Sequence, residues 1–318
     1  MSNPAVLLLA LVLDAIFGDP ERLYRAVPHP IVLIGGAVGW LDDRLNRETQ
    51  AMAIRRALGI LAVFMLVAGS VIVGLVIHRI LAALPLGWIV EGILMSTLIA
   101  QNSLYRHVAA VATALTVGIA EARRAVGEIV GRDPESLDEP GVARAALESL
   151  AENFSDGVTA PLFWGLIGGL PGMLAYKAVN TADSMIGHRT ERYEAFGWAA
   201  ARLDDFINLL PARLAGVLLA VAAAFLPRAD PGRAFRSMGR DAPKHRSPNA
   251  GWPEAALAGA LGLALAGPRR YHGELMDDAW MGAGGRTEAS AADIHRGLRL
   301  YLIACAMQAA LIAAAALL

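Results

Sequence analysis

Carboxylates, an amide and a hydroxyl stand side by side directly before an apolar segment in the middle of the chain. Glu152 and Asp156 enclose Asn153 and Ser155 within five residues. Mg²⁺ prefers such oxygen ligands, together with water and substrate phosphates. Alternatively, Ser155 or Asp156 caps a helix that begins at Val158. Both interpretations can hold, and the two acids so close together favour a metal-binding role.

A polar stripe follows on the helix predicted between Tyr176 and Met185. At 100° per residue, one face of this helix carries only polar side chains, and Asp183 lies at its edge. The residues on this face are Lys177, Asn180, Thr181 and Ser184. A water-facing surface helix is the alternative, but such helices usually carry Glu and Lys. The amides and hydroxyls therefore favour a binding site.

Two adjacent acids continue this region on the next predicted helix. Arg202, Asp205 and Asn208 are spaced for one helical face, and Asp204 directly precedes Asp205. Neighbouring carboxylates on a helix repel each other unless a cation compensates them. A metal ion, Arg202 or Arg213 can supply that positive charge.

A basic loop between Arg240 and Glu254 is the last polar group. Prolines at 243, 248 and 253 predict an ordered loop, and the helix after it carries a partial positive charge at its N-terminus. Cationic side chains and a helix N-terminus together suit a phosphate group. The side chains concerned are Arg240, Lys244 and His245, with Asn249 further along the loop. The alternative is a basic cytoplasmic loop that only sets the membrane topology.

The elements that must position these groups are apolar. The chain has 318 residues, of which 56% are hydrophobic and 18% are charged, whereas soluble domains carry about 25% charged residues. A net charge of −1 and the lack of a basic run argue against nucleic acid as a partner. Leu58–Ile77 and Leu300–Leu318 are long enough to span a bilayer, and Leu86–Leu104 is a third candidate.

Weaker apolar segments predict interrupted helices. Met1–Phe17 is interpreted as a retained helix and not as a signal peptide. Prolines interrupt Val158–Ala175 and Ile207–Leu226, and Ala255–Ala266 is too short to span a bilayer. No β alternation is evident. The sequence therefore predicts an all-α, polytopic helical integral membrane protein with broken or re-entrant helices and a helical soluble insert.

Three regions follow along the chain. Residues 1–104 hold the N-terminal membrane helices and a Gly-Asp-Pro/His-Pro loop, residues 105–152 form the soluble helical insert, and residues 153–318 form a membrane-associated catalytic region. The surplus of arginine between Pro227 and Gly251 favours the cytoplasm by the positive-inside rule. We expect a multi-pass protein of the cell (inner) membrane whose active site is cytoplasmic.

At this point the chain resembles a known family, the adenosylcobinamide-phosphate synthases, cobalamin biosynthesis proteins CobD/CbiB. The resemblance rests on motifs in the family's order over nearly the whole chain. These motifs are 148–164 (ESLAENFSDGVTAPLFW), 176–187 (YKAVNTADSMIG), 201–205 (ARLDD), 240–242 (RDA) with His245, 247–251 (SPNAG), and 18–20 (GDP) with 29–30 (HP). Local departures are Ala182, where Leu is common, and His188, where an aromatic residue is usual.

The resemblance implies an ATP-dependent amide ligation that joins adenosylcobyric acid to (R)-1-aminopropan-2-ol O-phosphate, with Mg²⁺ as the metal. Candidate metal ligands are Glu152, Asp156, Asp183, Asp204 and Asp205. Candidate phosphate contacts are Lys177, Arg202, Arg213, Arg240 and Lys244. Candidate groups that position substrate amides are Asn153, Asn180 and Asn249. His245 is the candidate base, and Lys177 and Asp183 are also expected to be catalytic. Membrane lipid and other enzymes of the pathway are the further partners considered.

Two other function classes fit parts of the sequence. A transporter would use broken helices and intramembrane polar residues as a translocation site, but it predicts inverted repeats, and none is visible. A prenyltransferase-like enzyme would bind diphosphate and Mg²⁺ through Asp204 and Asp205. It needs a second acidic helix, for which Asp277 and Asp278 are a weak substitute.

Overall fold

Most apolar segments of the sequence become helices in the computed structural model, which describes residues 3–20, 24–25, 27–131, 134–271, 274–276 and 278–317. Asp277 lies outside the described residues. The helices are α1 (Asn3–Phe17), α2 (Pro30–Leu45), α3 (Met52–Ala82), α4 (Gly87–Ser96), α5 (Gln101–Val117), α6 (Ile119–Gly127), α7 (Glu139–Asn153), α8 (Ala160–Ile186), α9 (Trp198–Ile207), α10 (Leu209–Ala222), α11 (Pro231–Asp241), α12 (Gly251–Leu261) and α13 (Ala291–Leu317).

Among the described residues, three helical stretches are long and apolar enough to cross a membrane. They are Met52–Ala82, Glu139–Ile186 and Ala291–Leu317, and α9 with α10 qualifies as a broken fourth span. The predicted span Leu58–Ile77 lies inside the first of these stretches, and residues 300–317 of the predicted span Leu300–Leu318 lie inside the last, while Leu318 is outside the described residues. The predicted fold class, a helical membrane protein with interrupted helices, is therefore confirmed.

Two segment predictions need correction. Leu86–Leu104 is not one helix, because α4 ends at Ser96 and α5 begins at Gln101. The predicted short helix Ala255–Ala266 begins earlier, at Gly251, and ends at Leu261, where Gly262 adopts a left-handed conformation with φ +72°. Such a glycine terminates a helix at little steric cost.

The chain divides into two compact units, each described separately below. Unit 1 comprises Met1–Ala100, Ala160–Asn208 and Ile312–Leu318, and unit 2 comprises Gln101–Thr159 and Leu209–Leu311. This division differs from the three regions predicted from the sequence. The functions assigned to those regions remain predictions.

Glycines allow the helices of unit 1 to approach closely. A Cβ added to Gly59 on α3 would lie 1.9 Å from the carbonyl oxygen of Phe196, and one added to Gly74 would lie 2.6 Å from the Cα of Pro171 on α8. Pro171 follows a kink in α8 at Gly169, whose φ of +60° is not helical. The predicted break in this segment is therefore present, but it lies at Gly169, two residues before Pro171, and not at Pro161.

Helix α7 provides much of the core of unit 2. Its residues Val142 to Ala151 include a long run of buried side chains, although the sequence places this helix in the soluble insert. Helix α12 is buried along almost its whole length. Among the described residues after this helix, four short strands occur that the sequence did not predict: β1 (Leu265–Ala266) pairs antiparallel with β4 (Trp280–Met281), and β2 (Arg269–Tyr271) pairs with β3 (Glu274–Met276).

Candidate functional site

The acidic segment Glu152–Asp156 lies at a π-helical turn. Residues Phe154–Thr159 form this turn between α7 and α8, so the chain stays helical from Glu139 to the kink at Gly169. No helix begins at Val158, and the capping alternative is therefore wrong. Short π-helical turns inside α-helices occur frequently at functional sites. Glu152 is exposed and Asp156 is half-buried, so both carboxylates are accessible.

The Asn153 side chain is oriented by the same helix. Its Nδ2 donates to the carbonyl oxygen of Ser149 at 2.9 Å and to the Ser149 hydroxyl at 3.1 Å. The amide nitrogen is therefore engaged, and the amide oxygen is the atom suited to receive a hydrogen bond from a substrate amide. Its predicted role in substrate positioning stays a prediction.

A chain of buried hydrogen bonds joins α8 to α9 in unit 1. The Tyr176 hydroxyl donates to Oδ1 of Asn208 at 3.0 Å, and Nδ2 of Asn208 donates to Oδ2 of Asp204 at 3.0 Å. All three side chains are buried, as is that of Lys177. Burying such groups costs free energy unless they are paired, so the pairing fixes the position of the Asp204 carboxylate.

Further candidate residues surround Asp204. The carboxylates of Asp183 and Asp205 interact with it electrostatically, and the Asn180 side chain contacts it. Nη1 of Arg202 lies 3.5 Å from Oδ2 of Asp205, so Arg202 compensates the charge of Asp205. Unit 1 therefore carries six predicted site residues. They are Lys177, Asn180, Asp183, Arg202, Asp204 and Asp205.

The acids of unit 1 suit a metal ion only with help from other ligands. Within the described part of the chain, no three Asp, Glu, His or Cys side chains converge closely enough to hold a metal ion. Mg²⁺ is commonly bound by one or two carboxylates plus water and substrate phosphates. The carboxylates of Asp204 and its neighbours fit that mode of binding, and they remain candidate ligands.

In unit 2, both ring nitrogens of His245 face protein groups. Nδ1 accepts a hydrogen bond from the Ser247 backbone N–H at 3.1 Å, and Nε2 lies 3.7 Å from Oε1 of Glu254. Both Glu254 and His245 are largely buried. A carboxylate beside an imidazole orients the ring and stabilises its protonated form. The sequence pointed to His245 but did not assign Glu254 to the site.

Asp241 organises the predicted phosphate contacts of unit 2. Arg240 binds it through two hydrogen bonds of 2.8 and 2.6 Å, and Nζ of Lys244 lies 3.5 Å away. The backbone N–H groups of Gly282 and Ala283 also donate to Oδ2, at 3.1 and 3.0 Å. Burial raises the pKa of Asp241, but these hydrogen bonds and positive charges outweigh burial and hold the pKa below its ordinary value.

The remaining candidates of unit 2 lie near its helix ends. Arg213 donates from Nη1 to the carbonyl oxygen of Leu209 at 2.7 Å, and its guanidinium lies 4.6 Å from the centre of the Trp252 ring. Asn249 is buried in the loop before α12. Unit 2 therefore carries the other candidate residues. They are Glu152, Asn153, Asp156, Arg213, Arg240, Lys244, His245 and Asn249.

Comparison with known proteins identifies relatives over nearly the whole chain. The family model described as "CobD/Cbib protein" matches residues 7–301. A protein of Sinorhizobium sp is 49% identical over 315 residues, which is 98% of each chain. A Brucella suis protein is 51% identical, covering 98% of this chain and 96% of the relative, and a Rhodobacter capsulatus protein is 48% identical, covering 95% and 93%. All three are named "Cobalamin biosynthesis protein CobD". No solved structure matches the chain.

Proposed function

Because the chain belongs to the CobD/Cbib family of cobalamin biosynthesis proteins, we propose that it is an ATP-dependent acid–amine ligase. The proposed reaction joins a propionate side chain of adenosylcobyric acid to the amine of (R)-1-aminopropan-2-ol O-phosphate, or of aminopropanol itself. The product is adenosylcobinamide phosphate, or adenosylcobinamide in the second case. The name that the relatives share favours a role in biosynthesis over the alternative of a membrane transporter.

The buried chain Tyr176–Asn208–Asp204 is the observation that carries this proposal. Acids and amides inside membrane-type helices are costly, roughly 2.5–3.5 kcal/mol for an Asp at a helix centre on insertion scales. Here they are buried and held by defined hydrogen bonds. An apolar protein that keeps such groups in fixed positions is suited to bind polar substrate groups there.

The chemistry of ligation accounts for the residue types. A carboxylate is a poor acyl donor, so its oxygen first takes the γ-phosphoryl group of ATP and ADP leaves. The amine nitrogen then forms the amide bond as phosphate leaves. Of the two protons that the ammonium loses, one goes to a base and the other leaves with the phosphate. Bound Mg²⁺ would neutralise phosphate charge in the first step. Its proposed ligands are drawn from Asp183, Asp204 and Asp205, with Glu152 and Asp156 as the further acids.

The cationic and amide side chains take the other proposed roles. His245 receives the proton of the incoming ammonium, with Glu254 beside the ring. The phosphate contacts are Lys177, Arg202, Arg213, Arg240 and Lys244. The substrate amides contact Asn153, Asn180 and Asn249. We further propose that the protein lies in the cell inner membrane with this chemistry on the cytoplasmic side, because the basic surplus in Pro227–Gly251 favours that side.

Turnover by the purified protein in nanodiscs tests the proposal. Adenosylcobyric acid, aminopropanol phosphate, Mg²⁺ and ATP are supplied, and the amide product is detected by mass spectrometry. We expect ATP-dependent product from the wild type and none from Asp183→Asn or Lys177→Met. Asp43→Asn, which removes an exposed acid from the same unit, is the matched control and should retain activity. A folded wild type that makes no product would refute the ligase and favour transport.

A further inference from the structure

A basic cavity in unit 2 lies beside one face of α11. Its volume is about 620 Å³, and it is lined by Arg233, Arg236, Ser237, Arg240 and the glycine-rich loop Gly282–Gly285. This volume lies within the range of roughly 300–1,000 Å³ that is usual for small-molecule sites. Of these residues, only Arg240 was assigned a role from the sequence.

Helix α11 places its arginines on one side. Arg233, Arg236 and Arg240 follow at i, i+3 and i+7, the spacing that brings side chains to one helical face. Asp230, the N-cap of α11, lies 3.7 Å from Nε of Arg233 and 3.9 Å from Nη2 of Arg236. These contacts are long and exposed, so they neutralise the two guanidinium groups only weakly.

The opposite wall of the cavity is held in place by its backbone. A Cβ at Gly282 or Gly285 would lie 2.4 Å from backbone atoms of Leu263, so only glycine permits this approach. Oδ2 of Asp241 accepts hydrogen bonds from Gly282 and Ala283, which fastens the loop to the end of α11. The cavity is therefore preformed, and its lining is cationic with little side-chain bulk on the loop.

Arg240 joins the two walls. Nε and Nη2 are used by Asp241, and Nη2 also donates to the carbonyl oxygen of Ala283 at 2.8 Å. Its position is fixed by these bonds while about half of its side chain stays exposed. These bonds leave Nη1 of Arg240 for a ligand, whereas the weakly paired guanidinium groups of Arg233 and Arg236 can offer paired N–H groups to the oxygens of a tetrahedral anion.

We infer that this cavity binds the phosphate group of a phosphorylated small molecule. Arg233 and Arg236 supply the exposed charges, and Arg240 with the Gly282–Gly285 loop supplies the fixed wall. The phosphate can come from a soluble substrate, ATP or aminopropanol phosphate, or from a lipid headgroup. The link of this cavity to turnover rests on the proposed function, whereas phosphate binding does not.

Binding to full-length protein in phosphatidylcholine nanodiscs tests the inference. The dissociation constants of ATP, inorganic pyrophosphate and aminopropanol phosphate are measured by isothermal titration calorimetry for the wild type and for the double variant Arg233→Gln/Arg236→Gln. Arg106→Gln/Arg299→Gln removes the same charge from exposed positions elsewhere in unit 2 and is the matched control. Unphosphorylated aminopropanol is the ligand control, and nanodiscs with phosphatidylglycerol test for a lipid headgroup.

We expect the dissociation constant of at least one phosphorylated probe to be roughly tenfold higher, or more, for the double variant than for the wild type. The reason is that each hydrogen bond to a charged group contributes strongly to the binding free energy. The control variant should bind as the wild type does. If phosphatidylglycerol abolishes the binding of every soluble probe, the phosphate is that of a lipid. Equal affinities for both double variants, or no binding of any phosphorylated probe or phosphatidylglycerol, would overturn the inference.

Two further readouts keep the result decisive. If the double variant is misfolded by its melting temperature, Arg236→Gln alone is judged by the same criterion, because its side chain is largely exposed. A wild type that ligates normally while the double variant binds phosphate unchanged refutes this inference and leaves the ligase intact. If the wild type has no ligase activity but its phosphate binding depends on the two arginines, the ligase proposal is refuted and this inference stands.

Discussion

Nδ2 of Asn208 lies 3.0 Å from Oδ2 of Asp204, and both side chains are buried in unit 1. The two residues are one helical turn apart, with Asn208 at the C-terminal end of α9. Because Tyr176 on α8 donates to the same amide, the carboxylate is fixed relative to two helices at once. A fixed acid, rather than a flexible one, is what a metal site requires.

Asp204→Asn should lower turnover by roughly 100-fold or more, the range found when a group that stabilises developing charge is removed. Asparagine keeps the size of the side chain and an acceptor for Asn208, so the protein should still reach the membrane and fold. Product formation by mass spectrometry and the melting temperature in nanodiscs check both statements. Asp43→Asn is the control, and wild-type turnover by the Asp204 variant would remove Asp204 from the site.

The membrane helices were largely predictable from the sequence, because twenty uncharged residues such as Leu58–Ile77 define a span by composition alone. The prediction of one helix over Leu86–Leu104 was wrong because it also rested on composition alone, and mean hydropathy does not show that the helix ends at Ser96. The kink at Gly169 was indicated only by the nearby proline. Local composition predicts that helices exist, whereas their breaks depend on packing.

The sequence predicted individual site residues from their chemical types, but it did not predict which side chains pair with each other. The sequence pointed to His245 and Arg240. Their partners, Glu254 and Asp241, are known only from the structure, which shows where the loop before α12 and the Gly282–Gly285 loop lie. Asp241 stands next to Arg240 in the sequence, and their ion pair could have been proposed from that. The hydrogen bond from Ala266 to Glu148 joins residues 118 positions apart, and no sequence pattern announces it.

Glu148→Ala should destabilise the protein by about 1–3 kcal/mol, the cost of leaving a buried donor without its acceptor. Oε1 of Glu148 accepts from the buried backbone N–H of Ala266 at 2.9 Å, and Ala266 has an unusual φ of +56°. Glu148→Gln keeps the acceptor and should lie closer to the wild type. Denaturant unfolding in detergent measures both, with the exposed Glu128→Gln as control. Equal losses for the Ala and Gln variants would show that the charge, not the hydrogen bond, matters.

His245→Gln should reduce turnover by roughly 10²–10⁴-fold if the imidazole takes the ammonium proton. Glu254→Gln should cause a smaller fall in kcat with little change in KM, because it removes the charge that orients and stabilises the ring. The pH–rate profile distinguishes this role from a structural one: the acidic limb present in the wild type should disappear in His245→Gln. An unchanged pH profile at reduced activity would make His245 a structural residue.

Asp241→Asn should lower the free energy of unfolding by about 1.5–3 kcal/mol at neutral pH, the contribution of hydrogen bonds to a charged group. The folded protein holds the pKa of Asp241 below its ordinary value, so the folded state favours the ionised carboxylate. Its contribution is therefore fully present above the unfolded pKa, roughly 3.9, and is lost as the pH falls through the folded value.

The free energy of unfolding is followed between pH 7 and the lowest pH at which the protein remains soluble, for the wild type and Asp241→Asn. The difference between them should be constant near neutrality and should shrink only below about pH 3.9. Glu128→Gln, an exposed acid of the same unit, should show almost no difference at any pH. A wild-type advantage that persists undiminished at low pH would mean that the carboxylate charge does not fasten the Gly282–Gly285 loop to α11.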